Sequence, residues 1–209
     1  MTILAQGNIS RLPISNNSVD LILIDPPYPK EFLPCYGWLA QEAMRVLKTG
    51  GFVLAMCGGM YLPKIYAMFE ESGLKYWWEY YHYSSGDRPV IWPRQTVAPV
   101  KPIICYSKGE ASARCWNILG QFDSKRMDKR FHHWGQDVES ARYYIDCFSD
   151  IGDLVLDPFV GGGTTAIACE LIGRRCIALD LDFSALTISK NRLIQADVPE
   201  QLYLPVNET

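Results

Sequence analysis

The most restrictive feature of this sequence is a strand, glycine turn, helix and strand unit near its C-terminal end. Residues 154–156 are apolar, three consecutive glycines follow at 161–163, and residues 165–172 and 176–179 then have the patterns of a helix and a second strand. A crossover through a helix joins parallel strands, and helices cover such strands on both faces. The unit therefore predicts an α/β fold built on a parallel sheet.

The rest of the chain continues this alternation of strands and helices. Further strands are predicted at 2–5, 19–24 and 52–56, and helices at 36–47, 60–71, 136–148 and 183–196. Residues 77–83 and 102–107 have the pattern of two antiparallel strands joined by a proline-rich connection. We therefore expect a mostly parallel, seven-stranded sheet with an antiparallel edge hairpin.

Length, charge and cysteine content limit the function classes. The 209 residues are enough for a single domain with a substantial core, and the net charge of −3 gives no global field that attracts nucleic acid. The seven cysteines are an odd number without a C-x-x-C pair, so we expect free thiols and no metal site. No apolar stretch has the length of a membrane span, so we expect a cytoplasmic protein without membrane contact.

The first motif that carries chemistry is Asp25-Pro26-Pro27-Tyr28, which directly follows the buried strand predicted at 19–24. Open α/β sheets bind ligands just beyond the carboxyl ends of their strands. Proline has no N–H group, so this turn presents a carboxylate and carbonyl acceptors beside a flat ring. Such a set suits an amino group on a flat heterocycle. A strand-end turn capped by an aspartate is an equally good interpretation of this motif alone.

The second motif, Asp157-Pro158-Phe159-Val160-Gly161-Gly162-Gly163-Thr164-Thr165, joins a strand to a helix. Its glycines allow a ligand to approach the backbone, and a helix N-terminus offers unpaired N–H groups. With Asp180 about twenty residues on, it also fits the loose dinucleotide fingerprint of nicotinamide enzymes. A carboxylate at Asp157 opposes a pyrophosphate and favours an ammonium group, however. S-adenosylmethionine offers both an α-amino group for Asp157 and a ribose for Asp180, with Phe159 as an apolar wall beside its sulfonium.

Together the two motifs resemble those of the amino-methylating DNA methyltransferases, which modify adenine N6 or cytosine N4. Their order, with Asp-Pro-Pro-Tyr before the glycine turn, is similar to the circularly permuted arrangement of the beta group. The similarity extends over residues 7–28, 47–52, 104–109 and 134–193. It implies a Rossmann-like, S-adenosylmethionine-dependent methyltransferase fold in a single domain, residues 1–209, that acts on double-stranded DNA.

The resemblance also implies roles for individual residues. The catalytic set is Asp25, Pro26, Pro27 and Tyr28: the Asp25 carboxylate and the Pro26 carbonyl accept the target amino group, and Tyr28 stacks on the extruded base. The implied cofactor site consists of Asn8, Asp25, Gln136, Asp157, Phe159, Gly161, Gly163, Thr164, Thr165 and Asp180. Within it, Asp180 binds the ribose, Asn8 lies near the adenine, and Gln136 precedes a helix that covers the cofactor. No metal ligand is implied.

A local excess of positive charge marks the candidate DNA-binding region. Residues 84–134 contain nine Lys or Arg against four acids, and we interpret this segment as a small basic recognition insert. A solvated charged face is an equally common origin of such a pattern. The side chains expected to contact DNA are Arg88, Arg94, Lys125, Arg126, Lys129 and Arg130.

Several functional alternatives remain open on the sequence alone. An aspartate at the first position of the tetrapeptide resembles the adenine-specific members, so adenine N6 is the predicted target and cytosine N4 the alternative. A catalytically silent cofactor-binding or DNA-binding subunit is a second possibility, and an NAD-linked oxidoreductase a third. Membership of a restriction–modification system and a homodimer are also compatible with the sequence.

Overall fold

A computed structural model describes residues 1–84, 89–124 and 138–196. Several residues predicted for the functional site lie outside this part of the chain: Arg88, Lys125, Arg126, Lys129, Arg130 and Gln136.

Ten strands and five α-helices make up the described fold. The strands are β1 (Thr2–Gln6), β2 (Val19–Ile24), β3 (Leu47–Met56), β4 (Lys75–Ser84), β5 (Val90–Ile91), β6 (Thr96–Val97), β7 (Val100–Ser107), β8 (Gln121–Ser124), β9 (Leu154–Asp157) and β10 (Arg175–Asp180). The helices are α1 (Leu33–Val46), α2 (Leu62–Glu71), α3 (Val138–Phe148), α4 (Thr164–Leu171) and α5 (Phe183–Gln195). None of these described helices combines the length and the apolar character needed to cross a bilayer.

The main sheet confirms the predicted fold class. Its strand order is β1-β10-β9-β2-β3-β7-β4-β8. The first five strands in this order are parallel to one another. Strand β7 runs antiparallel to both β3 and β4, as expected for the hairpin. The sheet has eight strands rather than the expected seven, because β8 pairs in parallel with the last four residues of β4. The hairpin is therefore partly covered at its outer side.

Helices cover both faces of the sheet, as a parallel sheet requires. On one face, α3, α4 and α5 pack on the core through residues such as Tyr144, Ile167 and Leu193. On the other face, α1 and α2 pack through residues such as Leu39 and Phe69. The central strands β2 and β3 are fully buried over most of their length, so their register is fixed by apolar packing on both sides.

The two sequence motifs lie at the same edge of this sheet. Strand β2 pairs directly with β9 in the register Ile22–Leu156, and β9 pairs with β10 through Asp157 and Ala178. The strands are parallel, so the turns that follow β2 and β9 leave the sheet side by side at its carboxyl edge. The chain order places Asp25 far before Asp157, although the sheet makes their strands neighbours.

The segment interpreted as a basic insert, residues 84–134, contains the buried core strand β7. Before β7, the short hairpin of β5 and β6 connects β4 to β7 at the carboxyl edge. After β7, residues 108–120 begin at the opposite edge, where the backbone of Lys108 pairs with Gly50 and Gly51. The described residues before β7, 89–99, and the end of β8 therefore lie at the same edge of the sheet as the two motifs.

Candidate active site

Asp25 is the first residue after β2, and the side chains of Tyr28 and Lys101 face its carboxylate. The Tyr28 hydroxyl donates a hydrogen bond to Asp25 Oδ1. The Lys101 Nζ lies 3.9 Å from Asp25 Oδ2 and 5.4 Å from the centre of the Tyr28 ring. Each oxygen of the Asp25 carboxylate therefore faces a donor, which fixes the orientation of the group. A carboxylate offers about four lone-pair sites, so each oxygen can accept more than one hydrogen bond.

Tyr28 acts as a neutral donor in this arrangement. Burial, and then the negative charge of Asp25, raise the pKa of Tyr28 well above its usual value, so the phenol keeps its proton. Gly58, just beyond β3, lies against this side chain: a Cβ at Gly58 would be only 3.2 Å from Tyr28 Cβ. The absence of a side chain at Gly58 therefore makes room for Tyr28.

Lys101 reaches Asp25 because of the sheet register. It is the second residue of β7, opposite His82 of β4, and β7 pairs with β3 only from Ile103 onwards. Lys101 thus extends past the end of β3 to the neighbouring strand β2. The sequence prediction counted Lys101 among the basic residues of the insert and did not place it at the Asp25-Pro26-Pro27-Tyr28 motif.

Asp157 ends β9 and is almost completely buried, with 3% of its surface exposed. The backbone N–H of Phe159 donates to Asp157 Oδ1 at 3.0 Å, and the Thr165 side chain also hydrogen-bonds to the carboxyl group. Burial raises the pKa of Asp157 to about 7; these two hydrogen bonds oppose the rise, and the nearby carboxylates of Asp180 and Asp25 add to it. Asp25, Asp157 and Asp180 stand at the ends of the neighbouring parallel strands β2, β9 and β10, so three carboxyl groups lie at this edge.

This environment fits a cationic ligand. Among the residues that the structure describes, no basic side chain forms an ion pair with Asp157, and its two donors are neutral. A buried carboxylate without a cation is unfavourable, and an ammonium group beside it supplies the missing charge. A pyrophosphate at the same place would add negative charge to three carboxylates. The site therefore fits the α-amino group of S-adenosylmethionine and does not fit a dinucleotide phosphate.

The glycine turn is held in a fixed shape from two sides. Gly161 has φ +47° and Gly163 has φ +81°, the left-handed region that favours glycine. The Gly161 N–H donates to Asp180 Oδ2 at 3.0 Å, and Ser189 Oγ of α5 donates to the Gly161 carbonyl at 2.8 Å. The buried Arg192 of α5 donates to the Gly162 carbonyl. The sequence prediction missed Ser189 and Arg192. In the sequence they are distinguished only as polar residues on the inner face of an amphipathic helix.

The other predicted cofactor residues that the structure describes lie at the carboxyl edge of the sheet. Thr164 and Thr165 open α4 and are buried, and Phe159 is half-buried against the α1 side of the core. Asp180, at the end of β10, also accepts the N–H of Asp182 at 3.0 Å. Asn8 lies two residues beyond β1, the neighbour of β10; it is exposed, and its Oδ1 accepts the N–H of Ser10 at 2.9 Å. The side chains of Asp180 and Asn8 thus already accept hydrogen bonds from nearby backbone N–H groups.

Of the residues predicted to contact DNA, the structure describes only Arg94. It is exposed in the turn of the β5–β6 hairpin, at the carboxyl edge that also holds Asp25. Pro26 is buried and Pro27 exposed, both in the turn after β2.

Comparison with known proteins decides the family. The family model described as DNA methylase, of the N6/N4 methyltransferase type, matches residues 19–191, which is most of the chain. The chain belongs to this DNA methylase family. The nicotinamide oxidoreductase is thereby set aside, and the prediction of an S-adenosylmethionine-dependent DNA methyltransferase is confirmed at the level of the family.

Individual relatives of this DNA methylase are similar over most of their length. The type II methyltransferase M.HpaI of Haemophilus parainfluenzae is 24% identical over 227 aligned residues, which cover 86% of this chain and 69% of the relative. The structure of TTHA0409 from Thermus thermophilus, complexed with S-adenosyl-L-methionine, has a TM-score of 0.80 at 19% identity and covers 100% of this chain and 99% of that one. The PvuII DNA methyltransferase, described as cytosine-N4-specific, has a TM-score of 0.77 at 16% identity, with 90% and 85% covered. These structures share the fold with the present DNA methylase.

Proposed function

We propose that this DNA methylase transfers the sulfonium methyl group of S-adenosylmethionine to the N6 amino group of an adenine that is extruded from double-stranded DNA. The observation that carries the proposal is the pairing of β2 with β9, which brings the turns of Asp25 and Asp157 out of the sheet side by side. One turn offers acceptors for an amino group and the other a buried anion for the amino acid part of the cofactor. The order of the two turns along the chain supports the permuted, beta-group arrangement.

The cofactor lies across the carboxyl ends of β9 and β10 in this proposal. Asp157 binds the α-amino group, the backbone of Gly161 and Gly163 approaches the methionine part, and Asp180 accepts from the ribose hydroxyls. The other proposed cofactor residues are Asn8, Asp25, Gln136, Phe159, Thr164 and Thr165. The bound cofactor supplies an activated methyl group, and the protein residues orient it.

The target amine is activated by hydrogen bonding and by position. The lone pair of an exocyclic amine is delocalised into the ring, and two acceptors, the Asp25 carboxylate and the Pro26 carbonyl, draw the nitrogen towards tetrahedral geometry. Pro27 keeps this turn rigid because its φ is fixed. Tyr28 provides a ring on which the extruded base stacks, which offsets part of the unstacking cost of a few kcal/mol. Positioning and electrostatics then account for most of the rate enhancement.

Adenine is the proposed base because an aspartate, Asp25, opens the tetrapeptide, as in the adenine-specific members that the motif resembles. The fold does not distinguish the two bases, since a structure described as cytosine-N4-specific is also similar to this chain. Cytosine N4 is therefore the second candidate, and identification of the methylated nucleoside separates the two.

Contact with double-stranded DNA is proposed for the carboxyl edge and the basic insert at residues 84–134, within a single methyltransferase domain at 1–209. The residues proposed to bind DNA are Arg88, Arg94, Lys125, Arg126, Lys129 and Arg130. A homodimer, a cytoplasmic location and a partner restriction enzyme remain predictions. Light scattering of the purified protein over a range of concentrations tests the homodimer.

The experiment that tests the proposed function uses S-adenosylmethionine with a labelled methyl group and duplex DNA. After digestion to nucleosides, mass spectrometry is expected to find the label on N6-methyl-2′-deoxyadenosine. Asp25→Ala is expected to abolish the transfer, while Asp150→Ala, which changes an exposed aspartate at the amino edge, leaves it intact. Label on N4-methylcytosine would overturn the adenine assignment alone. Absence of label from every base would overturn the proposed activity.

A further inference from the structure

The hairpin of β5 and β6 presents a highly exposed tryptophan at the edge of the sheet that also carries the Asp25 turn. Trp92 begins the turn between these two-residue strands, and 79% of its surface is exposed. Val90 and Val97 of the same hairpin are also exposed, by 42% and 52%. Arg94 carries the only charge in residues 89–99. The hairpin is thus an apolar projection with one positive charge and no acid.

This projection has a defined conformation. Ile91 pairs with Thr96, the Gln95 N–H donates to the Trp92 carbonyl at 3.1 Å, and the Thr96 hydroxyl donates to the Arg94 carbonyl at 2.8 Å. Pro93 fixes the backbone directly after Trp92. A side chain displayed on an ordered turn loses little conformational entropy on binding.

The hairpin is also close to the proposed site of chemistry. Lys101 is the fifth residue after Thr96, so their Cα atoms are at most about 18 Å apart. Lys101 in turn contacts Asp25. A duplex rises about 3.4 Å per base pair, so the span of about 18 Å between the end of the hairpin and Lys101 corresponds to about five base pairs.

We propose that Trp92 is a wedge that inserts its indole ring between base pairs of the bound DNA near the target nucleotide, with Arg94 contacting the adjacent phosphate. This inference rests on the proposed function. Apolar side chains inserted at a base step unstack it, and base–aromatic stacking contributes substantially to DNA affinity. Extruding a paired base is the step that most needs such compensation, because it breaks both stacking and pairing. The wedge therefore lowers the cost of extrusion.

The test compares Trp92→Ala with Trp116→Ala. Trp116 is 95% exposed, and it lies two residues beyond Arg114, whose guanidinium pairs with Asp150 at the amino edge. Sequencing of DNA methylated by the wild-type protein defines the target context, and duplexes of that sequence are prepared with the target base paired or mismatched. Trp92→Ala is expected to lower kcat/KM on the paired duplex at least about tenfold and on the mismatched duplex about threefold or less, because a mismatched base is already partly unstacked. Trp92→Phe retains most activity, and Trp116→Ala behaves as wild type on both duplexes.

Three results would overturn the wedge. Equal activity of Trp92→Ala and wild type on the paired duplex shows that the indole is not used. An equal loss on paired and mismatched duplexes shows a role other than extrusion. A wild-type protein that methylates no duplex overturns the proposed function and the wedge with it, whereas the first two results leave the proposed function intact.

Discussion

Replacing Asp157 with asparagine is expected to stabilise the empty protein at neutral and alkaline pH. The buried carboxyl group has its pKa raised from 3.8 to about 7. At about 1.4 kcal/mol for each tenfold change in proton affinity, ionising it in the folded state costs about 4 kcal/mol. Asparagine has nearly the same shape, carries no charge and keeps an oxygen for the Phe159 N–H. The variant therefore removes this cost and preserves the packing.

The sign of the pH dependence follows from proton linkage. Below about pH 4, Asp157 is protonated in the folded and unfolded states and contributes no difference. Between about pH 4 and pH 7 the unfolded chain releases this proton while the folded protein retains it, so the folded state loses stability as the pH rises. Above about pH 7 the loss is constant. The stability advantage of Asp157→Asn is thus expected to grow by about 3 kcal/mol between pH 5 and pH 8.

Urea unfolding of both proteins at pH 5 and pH 8 measures this difference directly. Asp150→Asn, at an exposed aspartate, is the control and is expected to show no comparable growth with pH. A difference between Asp157→Asn and wild type that is the same at both pH values would refute the account of Asp157 as a strained, buried anion.

The same substitution is expected to damage cofactor binding. Titration calorimetry with S-adenosylhomocysteine, which carries the same α-amino group, is expected to show wild-type affinity falling about tenfold per pH unit below pH 7, as Asp157 becomes protonated. Asp157→Asn is expected to bind about 30-fold more weakly or worse at pH 8 and to lose this pH dependence. Unchanged affinity in the variant would show that the ammonium group does not bind at Asp157.

Two further substitutions test how the two turns are built. Lys101→Met is expected to change the free energy of unfolding by less than about 1 kcal/mol, because its contact with Asp25 is partly exposed, yet to lower turnover on saturating DNA at least about tenfold with cofactor affinity unchanged. Normal turnover would show that Lys101 does not orient Asp25. Gly163→Ala is expected to lower the free energy of unfolding by about 1–3 kcal/mol, because φ is +81° and the new Cβ would lie 3.0 Å from the Ser189 backbone. Gly59→Ala, with no atom within 4 Å of its Cβ, is the control in thermal unfolding.

Apolar periodicity was sufficient to predict the strands and helices of the core. The continuous apolar run of β2 and the strand–turn–helix of β9 and α4 depend on local sequence, and they appear where the patterns placed them. Strand β8 was not predicted because its four residues, Gln121–Ser124, include only one that is fully buried. Its pairing with β4 is a tertiary contact that the short segment does not encode by itself.

The candidate site shows the same division between local and long-range information. Asp25 and Asp157 were recognisable because each stands at the end of an apolar strand next to proline or glycine. Lys101 was not, because its contact with Asp25 depends on β7 lying antiparallel beside β3 and on β3 ending before Lys101. The support of the glycine turn by Ser189 and Arg192 likewise requires the packing of α5 on the turn.

The central claim is that the turns of Asp25 and Asp157 bring a methyl donor and a base amine together. A crystal structure of the protein with S-adenosylhomocysteine and target duplex tests this most directly. The account predicts an extruded adenine with N6 within hydrogen-bond distance of the Asp25 carboxylate, and the cofactor α-amino group within the same distance of Asp157. A cofactor bound with its amino acid part away from Asp157, or a target base that does not reach Asp25, would contradict it.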